Sequence, residues 1–264
     1  MWDFGVAGLV LLLVLASSGA GQILQPALHE HHKSRETIDA VRLVISILVT
    51  FTALVLGLVT NSVKSSYDLF DARMRGFASD IIELDQRLRE YGADTDPQRA
   101  VLRTYVAAAI ADTWRDEPRP PGGYPTFAPT QGYERQELGA LLIELDGAIR
   151  RLAPTDDFHR RLADSIAARM TETLQQRWLL VVTPRDTLSP PFIILMTSWL
   201  VMIFGVFGLS SPRNLVVSVT ILMCALSISS AVYLILNLDS PLTGLIRVSS
   251  GPLRTALGHI DPSR

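Results

Sequence analysis

The chain has 264 residues, room for one or two domains, of which 48% are hydrophobic and 19% charged. Its mean hydropathy of +0.27 is too high for an ordinary soluble protein. A net charge of -2 sets up no field that would draw nucleic acid, and no Gly-rich phosphate loop, nucleophile elbow or zinc-ligand spacing is present. No enzyme class is therefore indicated, and no cofactor or metal is expected.

Four stretches contain no Asp, Glu, Lys, Arg or His: 4–28, 43–63, 187–212 and 214–238. A helix needs about 20 residues to cross a hydrocarbon core of about 30 Å, so each stretch reads as a transmembrane span. The first opens on "MWDF", which carries an acid and lacks the basic start of a signal peptide, so it is expected to remain as a span. The third is expected to start its helix at Pro190–Pro191, because proline suits a first turn. "SSPRN" between spans three and four leaves room only for a tight turn.

An even number of spans puts both termini and the long segment 64–186 on one side. That side carries Lys64, Arg73, Arg75, Arg177, Arg185, Arg247 and Arg254 near the membrane, against Lys33, Arg35, Arg42 and Arg213 on the other. The excess favours the first side as cytoplasmic, in an inner (plasma) membrane. The expected organisation is a first transmembrane pair at 4–63, a cytosolic helical insert at 64–186, a second pair at 187–238 and a short cytosolic tail at 239–264.

The second span meets no proline or glycine where its charged continuation begins. Val63, Tyr67, Phe70, Met74, Phe77, Ile81, Leu84, Leu88 and Tyr91 step alternately by four and three, a heptad seam. The span is therefore expected to continue as one helix, with Tyr67, Phe70, Met74, Phe77, Ile81 and Leu84 forming a bundle or oligomer seam. Lys64, Asp68, Asp71 and Arg75 share a neighbouring face at pairing distance. That face reads either as a solvated stripe or as the charged vestibule of a pore.

The helix should break at Gly92. A second soluble helix carries Leu102, Tyr105, Val106, Ala109, Ile110 and Trp114, and "DEPRPPGGYPTFAP" after it is too rich in proline and glycine for helix or central strand. Two more helices follow, one with Leu138, Leu141, Leu142, Leu145, Ile149 and Leu152, the other with Phe158, Leu162, Ile166, Met170 and Leu174. With no strand signal, the fold class is all-α: a polytopic membrane protein with four transmembrane helices and a cytosolic helical bundle.

"VLGLVTNSVKSSYDLFDARMRGF" resembles the end of the second span in bestrophin-like membrane proteins, with Ser66, Tyr67, Asp68, Phe70 and Arg73 on the matching positions. "LNLDSPLTGLIRVSSGPL" resembles the segment after the last span in the bacterial bestrophin-like domain family. The order of two spans, a helical insert, two spans and a tail agrees. The resemblance implies a homo-oligomer around a central axis, and its more distant link to the bestrophins implies an anion channel lined by the second span. The chain departs from that pattern in two ways. No acidic calcium clasp follows the fourth span, and "LGLVTNS" stands where a bulky apolar neck would be expected.

On the second span, Ser46, Thr50, Ala53, Gly57, Thr60, Asn61 and Lys64 share a face. As a pore lining they would offer hydroxyls, an amide and a terminal cation to a small anion. The competing reading is close helix packing, which uses the same small residues. Cys224, Ser227 and Ala231 on the fourth span form a similar stripe, expected to pack. Asp68, Asp71, Arg73, Arg75 and Arg247 are candidates for the cytosolic mouth, and Arg247 could pair with Asp239, Asp68 or Asp71. His29, Glu30, His31 and His32 read as a solvated loop rather than a metal site. The leading expectation is an oligomeric, anion-selective channel in the lipid bilayer. Its rival is a non-conducting scaffold or stress-related accessory protein that binds a partner through its cytosolic helices.

Overall fold

The structure is a computed structural model and describes residues 2–27, 35–127, 136–182 and 188–260. Those residues form α-helices and short 3₁₀ turns: α1 (Trp2–Leu24), α2 (Arg35–Tyr91), α3 (Asp96–Thr113), α4 (Gln136–Arg150), α5 (Asp157–Val182), α6 (Pro190–Ser210), α7 (Leu215–Asp239) and α8 (Gly251–Ile260). The protein is all-helical. Four of these helices are long and apolar enough to cross a membrane. The chain divides into two compact units, Met1–Tyr67 with Arg185–Arg247, and Asp68–Pro184 with Val248–Arg264. Helix α2 contributes to both. Its 57 residues run without a proline or a break, a length of about 85 Å at 1.5 Å per residue.

In the span unit, α1 packs against α6 and α7. Val10, Val14, Met196, Leu200, Ile203, Phe204, Ala225, Val232 and Leu236 form its buried core. The α1–α6 crossing is made of backbone. A Cβ on Gly208 would stand 2.0 Å from the Ser18 carbonyl oxygen, and one on Gly21 would stand 2.2 Å from that of Gly205. Ser17 closes the contact by donating its hydroxyl to the Val201 carbonyl at 2.7 Å. Small residues let membrane helices meet this closely, and lipid cannot compete for the buried polar groups.

The ends of these helices follow from local chemistry. Pro190 and Pro191 occupy the first turn of α6, where their missing N–H groups cost nothing. Asn214 caps α7, its side-chain oxygen accepting from the Val217 N–H at 2.8 Å. Arg213, in the turn between α6 and α7, donates to the Gln22 carbonyl at 2.9 Å. The stripe expected to pack on α7 is displaced. Cys224 and Ser227 are exposed, and Ala225, Ser229 and Val232 are the buried positions.

In the helical unit, α2 stops at Gly92, whose φ of +110° suits only glycine without strain. The Thr95 hydroxyl donates to the Gly92 carbonyl at 2.9 Å and closes the turn. Asp85 on α2 is buried and accepts from Arg99 on α3 at 2.8 Å. Helix α3 packs against α4 and α8, and α4 against α5. Asp156 caps α5 by accepting from the His159 N–H at 2.8 Å. The tail carries a helix that its composition did not announce. Leu253, Ala256, Leu257 and Ile260 of α8 are buried, Arg254 pairs with Glu117 at 3.2 Å, and Trp114 donates its indole N–H to the Val248 carbonyl at 2.8 Å.

Candidate functional site

Around α2 the sequence lays down three faces, because residues three and four apart stack along a helix. Ile45, Leu48, Thr52, Leu56, Val59 and Val63 form the face turned inward, buried or half-buried. Val63 packs with Ile235 and Leu238 of α7. Leu43, Ile47, Phe51, Leu54 and Leu58 form a second face, apolar and exposed. The third is the candidate stripe. Ser46, Thr50, Ala53, Gly57, Asn61 and Lys64 are exposed and Thr60 is half-buried.

The stripe is not used to pack helices within the chain. A Cβ on Gly57 would meet nothing within 4 Å, whereas Gly21, Gly205 and Gly208 have backbone or a hydroxyl against them. In the apolar stretches long enough to cross a membrane, 28% of α1 and of α6 and 17% of α7 is buried, but 11% of α2.

The polar groups on the stripe divide by direction. Ser46 donates its hydroxyl to the Arg42 carbonyl at 2.8 Å, Thr50 to Ser46 at 2.8 Å, and Thr60 to Leu56 at 2.7 Å. These protons are spent on the helix itself, so the hydroxyls present lone pairs outward. The stripe also carries the exposed Asn61 amide and Lys64 ammonium, the groups on it richest in N–H donors. The Lys64 ammonium lies 5.6 Å from the centre of the Tyr67 ring, a cation–π geometry that fixes a flexible side chain.

The candidate mouth residues fall in both units. Asp68, Asp71, Arg73 and Arg75 belong to the helical unit, where Arg75 pairs with Asp71 at 2.6 Å. Arg247 ends the loop of the span unit. Among the seam candidates, Phe70, Met74, Phe77, Ile81 and Leu84 are buried and Tyr67 is half-buried. The His29, His31 and His32 cluster lies outside the described residues. Among the described residues no group of three or more His, Cys, Asp or Glu is arranged to hold a metal.

Two features escaped sequence reasoning. One is the α1–α6 glycine crossing. The other is Asn237, which is 1% exposed. Its side-chain oxygen accepts from the Ile246 N–H at 2.7 Å, and its amide donates to the Tyr233 hydroxyl at 3.3 Å. Asp239 accepts from the Leu188 N–H at 3.3 Å. The signal was available as an amide and a carboxylate two residues apart at the end of an apolar run.

A model of the bestrophin-like domain matches residues 11–253. The chain belongs to the bestrophin-like family. This bestrophin-like chain is a multi-pass membrane protein, and two solved structures share its fold. One is described as a variant of a membrane protein, with a TM-score of 0.64 and 15% identity, covering 96% of each chain. The other is a point variant of a bacterial bestrophin homologue from Klebsiella pneumoniae, with a TM-score of 0.61 and 14% identity, covering 96% of this chain and 98% of that one. At such identity the likeness speaks for the fold alone. No curated protein matches the bestrophin-like chain at a significant level.

Proposed function

We propose that the protein is a homo-oligomeric, anion-selective ion channel of the inner membrane, with α2 of each copy lining a central path. One observation carries this reading: the stripe Ser46, Thr50, Ala53, Gly57, Asn61 and Lys64 is small and polar, yet the chain leaves it uncovered. Polar groups on a transmembrane helix are costly against lipid and are retained where they face other helices or water. The α1–α6 crossing meets the packing needs of the span unit without the stripe. Membership of the bestrophin-like family supports the same reading. Anion selectivity rests on the positive charge of Lys64 and the amide of Asn61, both exposed on the stripe. The charge balance of the loops favours cytoplasmic termini, with Asp68, Asp71, Arg73, Arg75 and Arg247 at the cytosolic mouth.

The test is current from purified protein in a planar bilayer, with the reversal potential in asymmetric salt giving the sign of the ion. Cysteines placed one at a time from position 46 to 64, in a Cys224→Ser background, should react with a water-soluble thiol reagent at intervals of three and four. Uniform protection together with no current from intact oligomers would sink the channel and favour the non-conducting scaffold. The observation that favours that second reading is the exposure of the large apolar side chains Ile143 and Phe158 on the helical unit, each of which a partner could cover.

A further inference from the structure

We propose that the loop after α7 lies in the boundary layer of the lipid bilayer, with the Leu245 side chain set among the lipids. The loop belongs to the span unit, whose second stretch ends at Arg247. Between Asp239 and Arg247 it carries no charge. Its shape is fixed by contacts. Pro241 and Leu242 are buried, the Thr243 N–H donates to the Ser240 carbonyl at 3.1 Å, and the Ile246 N–H donates to Asn237 at 2.7 Å. On this frame Leu245 is 73% exposed and Ile246 37%. A single exposed leucine is ordinary on a soluble surface. This one is held beside the last turn of a span.

The depth follows from chain geometry. Helix α7 is long and apolar enough to cross the membrane and closes on Asp239, the first charge after Arg213. Asn237 stands two residues before that end, so its bond to Ile246 fixes Leu245 near the depth where the span leaves the hydrocarbon. Tyr233 stands one turn deeper, its ring centre 4.4 Å from that of Phe4, which is 59% exposed. Tyrosine is enriched at the membrane boundary, where its ring meets lipid and its hydroxyl meets water. The side follows from the helix period. Ile235 and Leu238 of α7 meet Val63 of α2, and at about 100° per residue Asn237 stands roughly 130° around α7 from their midpoint. The loop is therefore turned away from α2. That this side faces lipid rests on the α2-lined assembly proposed above. Irregular backbone is excluded from the hydrocarbon itself, so the loop sits at its edge and the leucine makes the apolar contact.

The test uses the full-length chain with Leu245→Cys in a Cys224→Ser background, spin-labelled and reconstituted in phosphatidylcholine vesicles. Oxygen collects among acyl chains and a water-soluble nickel chelate stays outside, so the ratio of their collision rates with the label reads depth. A label on Glu144→Cys, at an exposed position of α4 in the helical unit, gives the aqueous reference. The ratio at position 245 should exceed that at 144 several-fold. Equal ratios place Leu245 in water and overturn the proposal. Shielding of the 245 label from both reagents means that protein covers the loop, a second copy included, and overturns it as well. The ratio is read whether or not current flows, so this proposal and the channel reading fail separately. If Leu245→Cys fails to fold, Thr243→Cys on the same exposed stretch takes the label, and the same ratios decide.

Discussion

Asn237 holds Ile246: its side-chain oxygen accepts the Ile246 N–H at 2.7 Å across the loop that follows α7. Gly244 completes the contact from the other side. Its φ is +101°, and a Cβ there would stand 2.5 Å from the Asn237 amide nitrogen. The stretch "NLDSPLTG" is thus one stereochemical unit, in which the amide needs the glycine and the turn needs the amide.

Gly244→Ala should destabilise the folded protein by roughly 1–3 kcal/mol, from a left-handed backbone carrying a side chain and from the clash with Asn237. Asn237→Ala should cost about the same, because it removes the buried side chain that accepts the Ile246 N–H and holds the loop. The double variant should lose less than the sum, since both act on one contact. Thermal unfolding of the four proteins measures the coupling, and strict additivity would contradict it.

Two glycines should separate packing from conduction. Gly208→Ala drives a Cβ into the Ser18 backbone, so the yield of folded protein should fall sharply, with a cost of at least about 1–3 kcal/mol. Gly57→Leu adds a larger side chain but meets nothing within 4 Å in the chain. It should preserve folding and oligomer size, read by size-exclusion chromatography, while cutting conductance. Loss of the oligomer in Gly57→Leu would mean that the stripe packs against another copy.

Lys64→Glu reverses a charge on the polar stripe. Selectivity should move several-fold toward cations. The change should be largest near 10 mM salt, where the screening length is about 30 Å, and nearly absent at 1 M, where it is about 3 Å. Reversal potentials at the two salt concentrations report it. An identical shift at both would remove Lys64 from the ion's path.

Tyr105 gives the helical unit an alkaline limit. Its ordinary pKa is about 10 and burial pushes it up to about 12. A raised pKa in the folded state contributes stability that is fully present below pH 10 and is lost as pH rises through 12. The loss across that window is about 2–3 kcal/mol, since each pKa unit is worth about 1.4 kcal/mol. Tyr105→Phe should flatten the decline of denaturant midpoint between pH 10 and 12. A decline as steep as the parent's would assign the loss to other groups.

The all-helical class and the four spans were legible because charge-free runs of 20 and more residues have few other readings in a chain this apolar. The unbroken passage of α2 out of its span was legible too, in the seam from Val63 to Tyr91. The faces of the spans were not. A helix that is apolar all round favours no side, so the packed stripe of α7 was assigned to Cys224, Ser227 and Ala231 when the buried side is Ala225, Ser229 and Val232. Gly57 and Gly208 look alike in a sequence, and only coordinates separate the open one from the one pressed against backbone. Helix α8 was hidden because its apolar face is a mere four residues within a polar tail.

The crossing of α1 and α6 also sets an order for biosynthesis. Ser17 and its acceptor Val201 are 184 positions apart, which at 5–20 residues per second separates their synthesis by roughly ten to forty seconds. During that interval α1 sits in the bilayer without the surface it is shaped to meet, its glycines bare to lipid. The stretch Asp68–Pro184 of the helical unit is translated in the same interval, but α8, which completes that unit, follows only after α6 and α7, so each half of the protein is begun before the other is closed.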